Sequence, residues 1–141
     1  MAPEKRKSGR RRLADMNAAE PERAWAPELP PELPWYEQIF PISERVSYRQ
    51  RLGEDAYGRL AEWAVVQMRR VEDQWQRVAV YDICHGKGVH VHLYDREGRE
   101  FTETSLRPVT CYQDVEDGLD YALERVTRHW EENERRSDRG Y

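Results

Sequence analysis

The chain has 141 residues, with 23 Lys+Arg against 27 Asp+Glu (formal net charge −4), 38% hydrophobic and 35% charged residues. That is the length of one domain and a polar composition for it. No apolar run approaches the roughly 18–20 residues of a membrane span, and no signal-type apolar region follows the basic start. Two cysteines, Cys84 and Cys111, are too few for a disulfide scaffold or a closed Cys-rich zinc site. A cytoplasmic protein without a cofactor is the expectation.

Charge is unevenly placed. Residues 1–12 hold six basic side chains against Glu4, including Arg10, Arg11 and Arg12, whereas residues 13–141 hold 17 basic and 26 acidic ones. Such an arm can touch a protein partner or make weak, nonspecific contact with nucleic acid. Pro21, Pro27, Pro30, Pro31 and Pro34 follow, so residues 1–34 read as a disordered basic and Pro-rich tail. Trp35 to Phe40 is dense in aromatic and apolar side chains and is expected to pack on the domain.

A helix is expected from Glu54 to Trp75. Tyr57, Leu60, Ala61, Ala64, Val65, Met68, Val71 and Trp75 recur at three and four residues as one stripe. A three-stranded meander should follow, with strands at 77–84, 89–94 and 100–105. The turns between them are His85-Gly-Lys-Gly88 and Asp95-Arg-Glu-Gly-Arg99. If Cys84 pairs with Val89, then Val78, Val80, Val89, Val91 and Leu93 form the buried face, leaving Tyr81, Ile83, His90 and His92 outside. A second helix should run from Gln113 or Asp114 to Arg135, with Thr110 and Gln113 as a capping box. Residues 137–141 should fray.

The predicted fold is therefore α+β: a single domain over 35–136, in the order helix-strand-strand-strand-helix. Both helices would pack on one face of a three-stranded antiparallel meander.

Three of the four histidines fall within eight residues: His85, His90 and His92. Three readings use them. As a binding surface, the outer hairpin face would make contacts through these histidines, Tyr81 and Tyr94, with Arg10, Arg11 and Arg12 adding charge. As a catalytic group, His85, His90 and His92 would supply acid and base for RNA cleavage while Lys87 stabilises the transferring phosphoryl group. As a metal site, His90 and His92 point the same way from one strand, with His85, Cys84 or an acid as third ligand. Gly86-Lys87-Gly88 lacks the spacing of a phosphate loop.

His85-Gly-Lys-Gly-Val-His-Val-His-Leu-Tyr-Asp95, continuing through Arg-Glu-Gly and the closing helix, resembles small uncharacterised actinobacterial proteins over Arg77 to Arg139. That likeness implies no activity. Gly86-Lys87-Gly88 followed by His90 and His92, after Tyr81-Asp82, also resembles the His-rich turn of TumE-like bacterial toxins over some fifteen residues. This second resemblance implies an antitoxin partner and an RNA- or translation-directed target. The helix-strand-strand-strand-helix order also matches double-stranded-RNA-binding domains. Those bind through a basic start of the second helix, whereas here that turn is the acidic Gln113-Asp-Val-Glu-Asp-Gly-Leu-Asp120.

Overall fold

In the computed structural model the described residues are Trp25, 35–83 and 88–141. Six strands form one antiparallel sheet in sequential order: β1 (Trp35–Pro41), β2 (Val46–Glu54), β3 (Leu60–Val71), β4 (Gln74–Asp82), β5 (Val89–Tyr94) and β6 (Glu100–Arg107). Helices α1 (Tyr112–Arg128) and α2 (Trp130–Arg139) follow. No helix among the described residues is long and apolar enough to cross a membrane.

The expected leading helix is absent, and with it the three-stranded, helix-first fold. Residues 54–75 are instead the end of β2, all of β3 and the start of β4. β3 is buried on both faces from Leu60 to Gln67, so its apolar residues satisfy a helical stripe and a two-sided strand equally well. What separates the two is the reversal at Glu72 and Asp73, both at positive φ (50° and 65°). A two-residue hairpin loop of this kind usually advertises itself with Asn-Gly or Asp-Gly, and this one does not. Trp35 to Phe40, expected to pack, lie in edge strand β1. Phe40 stacks on Tyr48 with ring centroids 5.1 Å apart, while Tyr36 and Ile39 stay exposed.

Two loops share one construction. In Asp55-Ala-Tyr-Gly-Arg59 and in Asp95-Arg-Glu-Gly-Arg99, the aspartate amide donates to the arginine carbonyl (2.9 and 2.8 Å), and the glycine amide donates back to the aspartate carbonyl (3.0 Å in both). Each aspartate Oδ1 accepts from the amides two and four residues on. Gly58 and Gly98 take φ of 76° and 82°, where a side chain would be strained.

Both helices lie on one face of the sheet, and the core sits between. It contains Leu52, Trp63, Val65, Tyr81, Ile83, Val91 and Leu93 from the strands, with Val115, Leu119, Ala122 and Val126 from α1. The Trp63 indole N–H donates to the Val115 carbonyl at 2.9 Å, and a Cβ on Gly118 would come within 2.6 Å of Val89. Gly118 is thus a point of close approach between α1 and the sheet. Trp25 joins this layer, its amide donating to the Thr110 carbonyl and its indole N–H to the Ala61 carbonyl, both at 3.0 Å.

The expected single closing helix is broken at His129, whose φ and ψ (−126°, 22°) leave the helical region. Its capping also differs from expectation. Cys111 is the N-cap and makes no side-chain cap bond; Thr110 donates its amide and hydroxyl to Asp114 Oδ2, both at 3.0 Å. Residues 137–139, expected to fray, belong to α2. Ser137 is fully buried, donates to the Tyr94 carbonyl and accepts from Arg69 at 2.9 Å.

Candidate functional site

The opposite face of the sheet is defined by its register. Two rows cross all six strands. One runs Glu37, Arg51, Ala64, Asp82, His90, Ser105; the next runs Ile39, Arg49, Val66, Val80, His92, Glu103. Helices cover the other side, so this face carries the charged and imidazole groups.

The β4–β5 register corrects the expected faces. Asp82 pairs with His90 and Tyr81 with Val91, one residue away from the register in which Cys84 meets Val89. A one-residue slip exchanges the two faces of a strand. Val80 therefore lies beside His92 on the open face, while Tyr81 and Ile83 enter the core. Tyr81 is 2% exposed and its hydroxyl accepts from Asn133 at 3.1 Å, so it is no outer-face contact residue. Tyr94 does lie on the open face, but buried against Val66 and Val80 with the Arg77 guanidinium 4.4 Å from its ring centroid. Burial pushes its hydroxyl pKa up.

Of the expected histidine set, the sheet brings His90 and His92 together, with ring centroids 4.9 Å apart in an edge-on arrangement. His85, Lys87, Cys84 and the arm residues Arg10, Arg11 and Arg12 lie outside the described residues. The third group on the site is Asp82. Alternation on β4 would have found it had the hairpin register been set by the longer loop.

The three side chains converge. Asp82 Oδ1 lies 2.5 Å from His90 Nε2 and 3.7 Å from His92 Nε2. One ligand atom from each of Asp82, His90 and His92 lies within 4.8 Å of the others. Each imidazole is held from behind: His90 Nδ1 is 2.9 Å from the Gly88 carbonyl, and His92 Nδ1 is 2.9 Å from Glu100 Oε1. Gly88 is held close in turn, since a Cβ there would meet the Arg107 carbonyl at 2.4 Å.

A carbonyl or carboxylate oxygen only accepts, so both Nδ1 atoms are assigned the N–H. A neutral imidazole then has a lone pair at Nε2, and both Nε2 atoms face the same carboxylate oxygen. Such a convergence of electron pairs requires a proton or a cation between them.

Further acids border the cluster. Glu103 Oε1 is 3.9 Å from His90 Nε2, and His92, Glu100 and Glu103 also offer converging atoms. Glu62, on the same face of β3, is pushed up to about 6, first by burial and then by the charge of Asp82. On β2, Arg49 and Arg51 sit 3.6 and 3.2 Å from Glu37, and the Arg51 guanidinium lies 4.6 Å from the Trp35 ring centroid.

No curated protein and no solved structure matches the chain. A family model does match, over residues 33–140, which takes in every described strand and helix. The chain belongs to the family described as Domain of unknown function (DUF7718).

Proposed function

We propose that the sheet face opposite the helices is a divalent transition-metal site, with Asp82 and His90, both buried, and His92 as protein ligands. The observation that carries this reading is the convergence of both Nε2 atoms on Asp82 Oδ1 while both Nδ1 atoms are fixed by oxygen acceptors. This is how metal-binding histidines are commonly oriented, with a carbonyl or carboxylate behind each ring selecting the tautomer. Bonds of about 2.1 Å in a tetrahedral site place neighbouring ligand atoms about 3.4 Å apart. The separations of 2.5 and 3.7 Å bracket that figure, so small side-chain rotations suffice.

Two imidazoles and one carboxylate suit Zn²⁺ or Fe²⁺. Three protein ligands leave a coordination position for water or substrate, which is the pattern of catalytic rather than structural sites. A metal there would lower the pKa of bound water toward neutrality and polarise an ester or phosphoryl oxygen. The reaction class this supports is metal-assisted hydrolysis, or binding of an anionic ligand without turnover.

Equilibrium dialysis against Zn²⁺ tests the site. One ion per chain is expected, falling to none in His92→Ala and in Asp82→Asn. Unchanged binding in both variants would remove these ligands from consideration.

The edge-on pairing of His90 and His92 favours one other reading, metal-free acid–base cleavage of RNA by the imidazole pair. It requires activity that survives chelation. Growth arrest on expression, abolished by His90→Ala with His92→Ala and accompanied by chelator-resistant RNA cleavage, would favour it over the metal.

A further inference from the structure

We infer that the ligand of this centre is a phosphate-bearing anion, held between the metal and the Arg49–Arg51 pair of β2; the inference rests on the metal reading above. Arg49 and Arg51 project from the same face as Asp82, His90 and His92. They share a single carboxylate, Glu37, at 3.6 and 3.2 Å. Arg51 reaches Glu37 through its Nε, whereas Arg49 Nε has no hydrogen-bond partner among the described residues; both side chains are about one-third exposed (35% and 37%). Two cations on one carboxylate leave one positive charge and several N–H donors to be used.

Their placement suits a bridging ligand. Arg51 pairs with Ala64, and Ala64 with Asp82, so two strand spacings, roughly 9.6 Å, separate the arginine and metal-ligand backbones. The one side chain between them in that row is a methyl group. In the adjacent row Val66 and Val80 form an apolar floor between Arg49 and His92. Ala64, Val66 and Val80 are themselves buried, so an anion with one oxygen on the metal and others toward the guanidinium forks would lie over these rows. Planar, bidentate recognition of phosphate is what arginine does better than lysine. The Trp35 ring beside the Arg51 guanidinium holds that side chain in position.

The carboxylates on the same face oppose this binding. Glu62 and Asp82 lie on β3 and β4 beside these rows, and Glu100 and Glu103 lie beyond His92 on β6. An anion would therefore be admitted only after the metal has offset their charge, which makes phosphate binding strictly metal-dependent.

The test is a titration of the Co²⁺-loaded full chain with inorganic phosphate, read from the visible absorption of the metal. A saturable spectral change is expected, at least tenfold weaker in Arg49→Met/Arg51→Met while Co²⁺ affinity stays unchanged. Equal phosphate affinity in that variant, or phosphate binding to the metal-free chain, would overturn the inference. Should the double variant lose Co²⁺ as well, Arg51→Lys decides: weakened phosphate binding with retained Co²⁺ supports the bidentate role, and unweakened binding rejects it. Failure of the wild type to take up Co²⁺ would count against the metal reading itself and take this inference with it.

Discussion

The two faces of the sheet divide the labour of the molecule. One meets the helices with Trp63, Val65, Ile83, Val91 and Leu93, all buried in one core with residues of α1. The other sets Asp82, His90 and His92 among carboxylates, arginines and a small apolar patch of Val66, Val80 and Tyr94. Strand alternation makes both faces from the same residues in sequence, so a core position and a site position are always neighbours in the chain. Stability and metal chemistry should then respond to different halves of each strand.

The largest expected effect lies on the helix-covered face. Trp63→Ala removes a fully buried ring and its bond to the Val115 carbonyl, and should cost about 3–5 kcal/mol in denaturant unfolding. Gly118→Ala comes next. Its Cβ would meet Val89 at 2.6 Å and Trp63 at 3.1 Å, so overpacking of about 1–3 kcal/mol should outweigh any helix-propensity gain. A Gly118→Ala protein as stable as the wild type would mean that α1 is free to move away from the sheet. By contrast, His92→Ala in chelator should change stability by less than about 1 kcal/mol, since His92 is a partly exposed side chain whose nearer ionic partner, Glu100 at 2.9 Å, is exposed and whose other, Asp82, is 3.7 Å away.

A smaller effect distinguishes the hairpins. Glu72 and Asp73 hold positive φ without glycine, so Glu72→Asn with Asp73→Gly should raise stability by about 1 kcal/mol, measured by thermal unfolding. Glu62 gives the smallest shift and a pH signature. Its native pKa of about 6 lies above the ordinary 4.5, so the native state holds more protons than the unfolded chain between those values. Stability should therefore decline as pH rises from about 4.5 through 6, then level off. Glu62→Gln should flatten that decline. In chelator, it should gain about 1 kcal/mol or less over the wild type above pH 6, once solvent screening is allowed for.

The same comparison shows what could be read from the sequence. The hairpin Val89–Arg107 was legible because His90 and His92 alternate with Val89, Val91 and Leu93, and because Gly98 marks its turn. The helix face of α1 was legible from Val115, Leu119, Ala122 and Val126. β3 was not, because it is apolar on both sides and its turn at Glu72–Asp73 carries no turn residue. The matching loop at Asp55–Arg59 holds the same Asp-x-x-Gly-Arg pattern as Asp95–Arg99, a repeat that would have placed a turn there instead of a helix start. At the site, His90 and His92 were visible as a pair, but Asp82 depended on a register one residue from the expected one. Arg49, Arg51 and Glu62 were invisible because only the six-stranded sheet puts them beside the histidines.

The metal reading assigns one ion per chain to Asp82, His90 and His92. Crystals grown with Zn²⁺ and measured on both sides of the zinc absorption edge test it most directly. One anomalous peak per chain is expected, within bonding distance of Asp82 Oδ1 and of Nε2 on both His90 and His92. A zinc-replete crystal with no peak there, and with His90 Nε2 still in direct contact with Asp82 Oδ1, would contradict it.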